Sequence, residues 1–417
     1  MSPQDLAQID PYGIPLDAID VSNPSLYQQD LHWDYFKRLR QEEPVHYCAD
    51  SPYGPYWSVT KYSDIMMVDS DYHRFSADKA VLLDTARLVG EKEDSPSLAA
   101  FIAMDPPEHD RQRKAVSPAV APANLVRLAS VIRERTSRVL DELPIGEEFD
   151  WVEQVSSELT ILMLATLMDF PVQEKELLSY WSRMIAGTPG DGLMESLEQR
   201  DHVLRQCAAR FLAMRAERAA TPPANDLVSL LAHSPHARDM SVEDYCANIF
   251  LLIIGGNDTT RNSMSGGVLA FHDNPREWAK FRTNPALVDS LVPETIRFQT
   301  PVIYLARRAR QDAEIRGKMI RKGDRIAMWY ISGNRDEEAI ENADRFIIDR
   351  ARPRQHISFG FGIHRCLGNR LAELQLRILW EEIARRNWSR IEVTGQPVRA
   401  YSNAVRSIDH LPVRIHA

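Results

Sequence analysis

Cys366 closes a glycine-punctuated run, Phe359-Gly360-Phe361-Gly362-Ile363-His364-Arg365-Cys366-Leu367-Gly368, and a helical pattern starts near Asn369. In that pattern Leu371, Leu374, Ile378 and Leu379 share one face. Glycines at 360, 362 and 368 permit tight turns and close backbone approach to something flat and bulky. A helix N-terminus behind the sulfur favours the anionic thiolate through its dipole and unpaired amides. A lone thiolate of this kind suits an axial ligand to a haem iron. The plain alternative is a buried structural cysteine beside a glycine turn.

A second group lies in Leu251-Leu252-Ile253-Ile254-Gly255-Gly256-Asn257-Asp258-Thr259-Thr260. Ser241-Val242-Glu243-Asp244 resembles a capping box and predicts a long helix from there through about His272. Two adjacent glycines inside a helix cost roughly 1 kcal/mol each relative to alanine, so close approach of a ligand would give them a purpose. Loosening the backbone ladder there would open a groove. Gly255 and Thr259 are four apart and share a face, which sets the hydroxyl at the edge of any such gap. The competing reading is a helix–helix contact that needs small residues.

These residues sit in a chain of 417 residues, 44% hydrophobic, with a net charge of −9. That charge gives no electrostatic case for nucleic acid binding. The four cysteines, Cys48, Cys207, Cys246 and Cys366, form no CxxC pair and no secreted-type framework, which indicates a reducing compartment. The apolar stretches fall short of the roughly 18 residues a membrane span needs, and the N-terminus lacks a basic, then apolar, leader. Cytoplasmic location without a membrane span is the resulting expectation.

Residues 1–30, with Pro11, Pro15 and Pro24, read as an extended arm, followed by one domain over 31–417. A helix is predicted around Leu31–Glu43, strands at Val45–Cys48 and Tyr56–Thr60, and an irregular loop over 80–100. From 108 to 272 the pattern is mainly helical, with breaks at Pro144, Pro171, Pro189 and Pro222-Pro223. Short strands are predicted at Ala313–Ile315, Met319–Ile320 and Arg325–Trp329. The fold class is mainly α with a minor β region.

The ten-residue cysteine loop resembles the haem-binding loop of the cytochrome P450 family. Gly255-Gly256-Asn257-Asp258-Thr259 resembles the same family's oxygen-activating pattern of small-Gly-x-acid-Thr. The resemblance covers the chain from about residue 30 onward and implies the cytochrome P450 fold, with haem b (iron protoporphyrin IX) bound through Cys366. It also implies contacts to the haem from Gly256, Phe359 and Gly368, oxygen activation supported by Thr259, and proton delivery through Asp258. Glu294-Thr295-Ile296-Arg297 taken alone is a helix-spaced surface ion pair worth under about 1 kcal/mol. By resemblance, Glu294, Arg297 and Arg350 form a buried structural lock instead, although Pro293 removes a backbone bond just before the glutamate.

Haem propionates need cationic or hydrogen-bonding partners. His109, Arg113, Arg307 and His364 match family positions, with an exposed helix histidine as the alternative at 109. Strand alternation favours Arg307 over Arg308 as the inward residue. Val81, Leu82, Leu83, Leu251, Ile254, Gly255, Val302 and Ile303 are candidate substrate-pocket residues, each equally readable as core. Together they suggest a narrow apolar site without a fixed charge.

Within the family, the 251–264 and 359–370 segments look most like soluble bacterial terminal alkane and fatty-acid hydroxylases. The implied reaction inserts one oxygen atom of O2 into a C–H bond and reduces the other to water. The chain has no GxGxxG after a strand. Electrons from NAD(P)H would therefore arrive through a separate [2Fe–2S] ferredoxin and ferredoxin reductase. A monooxygenase of terpenoid, steroid or aromatic substrates is the alternative. A haem-thiolate sensor or a peroxygenase is disfavoured by Thr259.

Overall fold

The computed structural model describes residues 8–83, 100–187 and 194–417. Most of the loop expected over 80–100, and the break expected at Pro189, lie outside these residues. The chain forms two units. One comprises Met1–Thr85, Gly266–Cys366 and Pro397–His410; the other comprises Ala86–Ser265, Leu367–Gln396 and Leu411–Ala417.

The first unit holds a five-stranded sheet in the order Val45–Cys48, Tyr56–Val59, Arg325–Met328, Leu305–Ala309, Phe75–Ser76. The hairpin of the first two strands pairs Val45 with Val59, and Tyr56–Val59 then runs parallel to Arg325–Met328. Leu305–Ala309, whose alternation at Arg307-Arg308 is expected from sequence without its bounds, pairs antiparallel with Arg325–Met328 and sets Arg307 opposite Ile326. Its Arg-Arg pair hides the apolar alternation, yet the period of two holds: Arg307 is buried and Arg308 exposed. Helices His32–Glu42, Tyr62–Ser70 and Val288–Gln299 accompany this sheet. The last of these runs unbroken through Pro293. The ring removes one backbone bond, and the buried side chains that follow it hold the helix in place.

The second unit is helical, with Pro122–Asp141, Glu158–Met168, Lys175–Ala186, Leu197–Ala219 and Asn369–Arg386 around the long helix Val242–Asp273, whose last turns belong to the first unit. Ser241 starts that helix as the sequence requires, its hydroxyl accepting the Asp244 N–H at 3.0 Å. Leu164, Leu204, Phe211, Tyr245, Phe250 and Ile253 belong to one buried cluster. A three-stranded sheet of Glu148–Asp150, Pro412–His416 and Arg390–Val393 completes the unit. Mainly α with minor β is the observed class. Among the described residues no single helix is long and apolar enough to cross a membrane.

Candidate functional site

The first unit carries the cysteine loop. Its bends need positive φ at Gly360 (66°) and Gly362 (64°), where side chains other than glycine are strained. The loop closes on itself: the Cys366 N–H donates to the Phe359 carbonyl at 2.7 Å, and the Arg365 N–H to the Gly362 carbonyl at 3.3 Å. Cys366 is exposed, whereas Cys48, Cys207 and Cys246 are buried. Burial pushes the Cys48 thiol up to about 12 and the Cys246 thiol up to about 11, and raises Cys207 as well. Cys366 is thus the one accessible sulfur among the four. His364 is buried in the turn before it. Gly368 has φ −87°, so its backbone conformation does not demand glycine.

Arg307 is 1% exposed, and its Nη2 donates to Asp69 Oδ1 at 2.6 Å. Alternation identified the inward arginine but not this partner, because Asp69 is 238 residues away in the chain. Glu294 and Arg297, both fully buried, make a two-point ion pair at 2.7 and 2.8 Å. Arg350 Nε reaches Glu294 Oε2 at 2.8 Å, and Arg297 also donates to the carbonyls of Asn334, Ala343 and Arg345. The surface-pair reading of Glu294 and Arg297 is therefore excluded by geometry.

The second unit carries the Gly255–Thr260 segment of the long helix. No break opens in the long helix at 255–260. The two glycines differ: a Cβ at Gly256 would meet Leu164 Cδ1 at 3.3 Å, whereas a Cβ at Gly255 would meet nothing within 4 Å. Gly256 therefore answers to helix packing, and Gly255 to open space. The Thr259 hydroxyl donates to the Gly255 carbonyl at 2.8 Å. Asp258 is buried, with Arg261 Nη2 at 3.6 Å from its Oδ1 and Asn257 Nδ2 at 3.4 Å from the same oxygen. Asn257 itself accepts from Thr160 Oγ1 at 2.7 Å and has Ser182 Oγ as a partner of its Nδ2 at 3.1 Å. Asn257 lies within the motif and Arg261 two residues after it, but their partners come from other helices or another turn.

His109 and Arg113 share helix Glu108–Val116. His109 is buried, not exposed, and its Nδ1 lies 2.8 Å from Asp110 Oδ1. Burial holds its imidazole below the usual range, against the opposing pull of Asp110. Arg113 stands over the Phe101 ring at 5.9 Å.

The candidate pocket residues divide. Ile303 and Leu83 are buried in the cluster around Trp329, and Val81 is buried with its carbonyl accepting the Ala306 N–H at 2.9 Å, so all three have core positions. Leu82, Leu251, Ile254 and Val302 are half-buried and Gly255 is exposed.

The cysteine loop fits a haem: one accessible sulfur stands on a backbone fixed by its own hydrogen bonds. Among the described residues no group of three or more His, Cys, Asp or Glu side chains is placed to hold a metal ion by itself. A single thiolate suits an iron whose other ligands come from a macrocycle.

The cytochrome P450 family model matches residues 126–387. A solved structure of CYP153D17 from Sphingomonas sp. PAMC 26605 is 41% identical with a TM-score of 0.91, covering 97% of this chain and 100% of that one. Linalool 8-monooxygenase of Pseudomonas putida is 34% identical, with 94% of this chain and 98% of that protein covered. Methyl-branched lipid omega-hydroxylase of Mycobacterium tuberculosis is 27% identical, with 97% and 96% covered. With more than half its length matched by the family model, and the thiol loop and helix motif in place, this chain belongs to the cytochrome P450 family.

Proposed function

We propose that this protein is a haem-thiolate monooxygenase that hydroxylates linear hydrophobic molecules, medium-chain alkanes or fatty acids, at the terminal carbon. The observation that carries the monooxygenase reading is Cys366, the accessible thiol on a loop closed by its own N–H bond to Phe359. When bound, the haem supplies the handling of O2 and electrons that no side chain can perform. Cys366 would hold the iron, His109, Arg113, Arg307 and His364 would serve the propionates, and Gly255 would leave room at the long helix. Thr259 Oγ1, its own hydrogen engaged by the Gly255 carbonyl, would offer its lone pairs to hold a proton beside the long helix, and the Asp258 carboxylate would relay protons toward it.

Terminal selectivity is supported by the similarity to an omega-hydroxylase and by the apolar, uncharged side chains of Leu82, Leu251, Ile254 and Val302. A terminal C–H bond is stronger than an internal one, so the protein must impose several kcal/mol of positional bias, at 1.36 kcal/mol per tenfold in rate. Similarity to linalool 8-monooxygenase favours a second reading, a terpenoid substrate. We place the protein in the cytoplasm, working as one catalytic domain after its N-terminal arm, with a [2Fe–2S] ferredoxin and its NAD(P)H-dependent reductase as electron donors.

The test is turnover with a ferredoxin system on linear alkanes, fatty acids and terpenoids, followed by gas chromatography. Terminal alcohols from linear substrates support the proposal. Internal alcohols, or turnover of terpenoids alone, defeat terminal hydroxylation while leaving the monooxygenase standing.

A further inference from the structure

Asp69 sits in the last turn of helix Tyr62–Ser70 and is 1% exposed. A buried carboxylate is tolerated only when its oxygens are satisfied. Here three donors from three separate parts of the first unit converge on it. Oδ1 accepts from Arg307 Nη2 at 2.6 Å, on strand Leu305–Ala309. Oδ2 accepts from the Tyr330 hydroxyl at 2.9 Å and from the backbone N–H of Phe361 at 2.8 Å. The Phe361 amide belongs to the cysteine loop itself.

The contact between this helix end and the loop is close. A Cβ at Gly362 would lie 2.6 Å from the Asp69 carbonyl oxygen and 3.0 Å from Ser70 Cα. The loop is therefore pressed onto the helix end at Gly362 and bonded to it at Phe361, five residues before the sulfur. The Cys366 N–H bond to Phe359 passes that constraint on to the cysteine. Groups that hydrogen-bond around a ligand set its orientation and strength as much as the ligand does.

We propose that Asp69 is a positioning residue for the Cys366 thiolate, fixing the cysteine loop by its bond to Phe361 N–H while Arg307 and Tyr330 fix Asp69. Nothing in the sequence marks it: Val68-Asp69-Ser70-Asp71 is a short polar run of ordinary composition. The proposal rests on Cys366 being the axial ligand, and its test separates the two ideas.

Asp69→Asn keeps the volume but weakens the acceptor and turns an NH2 group either toward Arg307 or toward both Tyr330 and Phe361. In the haem-free protein, hydrogen exchange read by mass spectrometry over the 359–366 peptide should speed up by about tenfold or more, as expected for losing a hydrogen bond to a charged group. In the haem-loaded protein, conversion of the reduced CO complex from the thiolate to the neutral-thiol spectrum should accelerate by a similar factor. The double variant Asp69→Ala/Arg307→Met leaves no stranded buried charge. Read in the haem-free protein, where the loss of Arg307 as a propionate partner plays no part, it should keep faster loop exchange even where its melting temperature matches the parent. Asp71→Asn, two residues on, should change neither reading.

Unchanged loop exchange and unchanged conversion in Asp69→Asn would overturn the proposal. So would recovery of parental loop exchange in the haem-free double variant, which would reduce Asp69 to a counter-ion for Arg307. A parent protein without any thiolate spectrum would refute the ligand assignment instead, and the exchange measurement would still judge the anchor.

Discussion

The Thr259 hydroxyl donates to the carbonyl oxygen of Gly255 at 2.8 Å, one turn back on the long helix, at the point where that helix borders open space. The hydrogen is engaged within the helix while the oxygen lone pairs remain available as acceptors. Thr259→Ala should fold and bind haem and substrate normally, yet divert electrons to peroxide. Product formed per NAD(P)H should fall by about tenfold or more, within the span attributed to positioned proton transfer. Thr259→Ser should recover much of it; unchanged coupling in Thr259→Ala would assign the threonine to helix structure alone.

Asn257 ties the long helix to Thr160 and Ser182 and touches Asp258. Asn257→Ala takes the amide partner from the buried Ser182 hydroxyl, leaves Thr160 with only its bonds to the Ser156 and Ser157 carbonyls, and should lower stability by about 1–3 kcal/mol in urea unfolding. Asp258→Asn should cost less stability but slow turnover more. The comparison separates the clamp from the proton route, and equal turnover in parent and Asp258→Asn would count against the route.

Alkylation of the haem-free protein should mark Cys366 first. Cys48, Cys207 and Cys246 are buried with thiols raised by that burial, so little thiolate is exposed to reagent there. Peptide mass spectrometry after brief iodoacetamide treatment reads the order. Cys366→Ala should also abolish the thiolate spectrum of the CO complex, with the other three cysteines individually replaceable.

Glu294→Gln breaks a fully buried ion pair and leaves the Arg297 and Arg350 charges facing a neutral amide. Removing one partner of a buried pair costs roughly 3–5 kcal/mol. Denaturant midpoints should fall accordingly, or folded protein should fail to accumulate. A loss below about 1 kcal/mol would show that solvent screens the network.

His32 is completely buried, and that burial holds its imidazole down at about 3. In the unfolded chain it titrates near about 6.5. Between those values the unfolded state binds a proton that the folded state refuses, so stability rises with pH there. Its contribution is intact above about 6.5 and declines by about 1.4 kcal/mol per pH unit as pH falls toward 3. His32→Gln should flatten this part of the stability–pH curve, measured by urea unfolding at pH 7 and pH 5. An identical slope in the variant would place the acid sensitivity elsewhere.

Local patterns made much of this protein legible before any tertiary contact was known. The glycine spacing before Cys366, the Ser241 cap and the Gly-Gly-Asn-Asp-Thr run depend on residues within a few positions of one another, where turn and helix rules act directly. Strand alternation likewise turned Arg307 inward. Long-range packing decided the rest. Which glycine faced Leu164 and which faced open space depended on a neighbouring helix, and Ile303, Leu83 and Val81 became core through contacts remote in the chain. Asp69 shows the limit most sharply. Its charge is ordinary in sequence, and it gains a role only because three donors 238, 261 and 292 residues away meet its two oxygens in a place without water to compete.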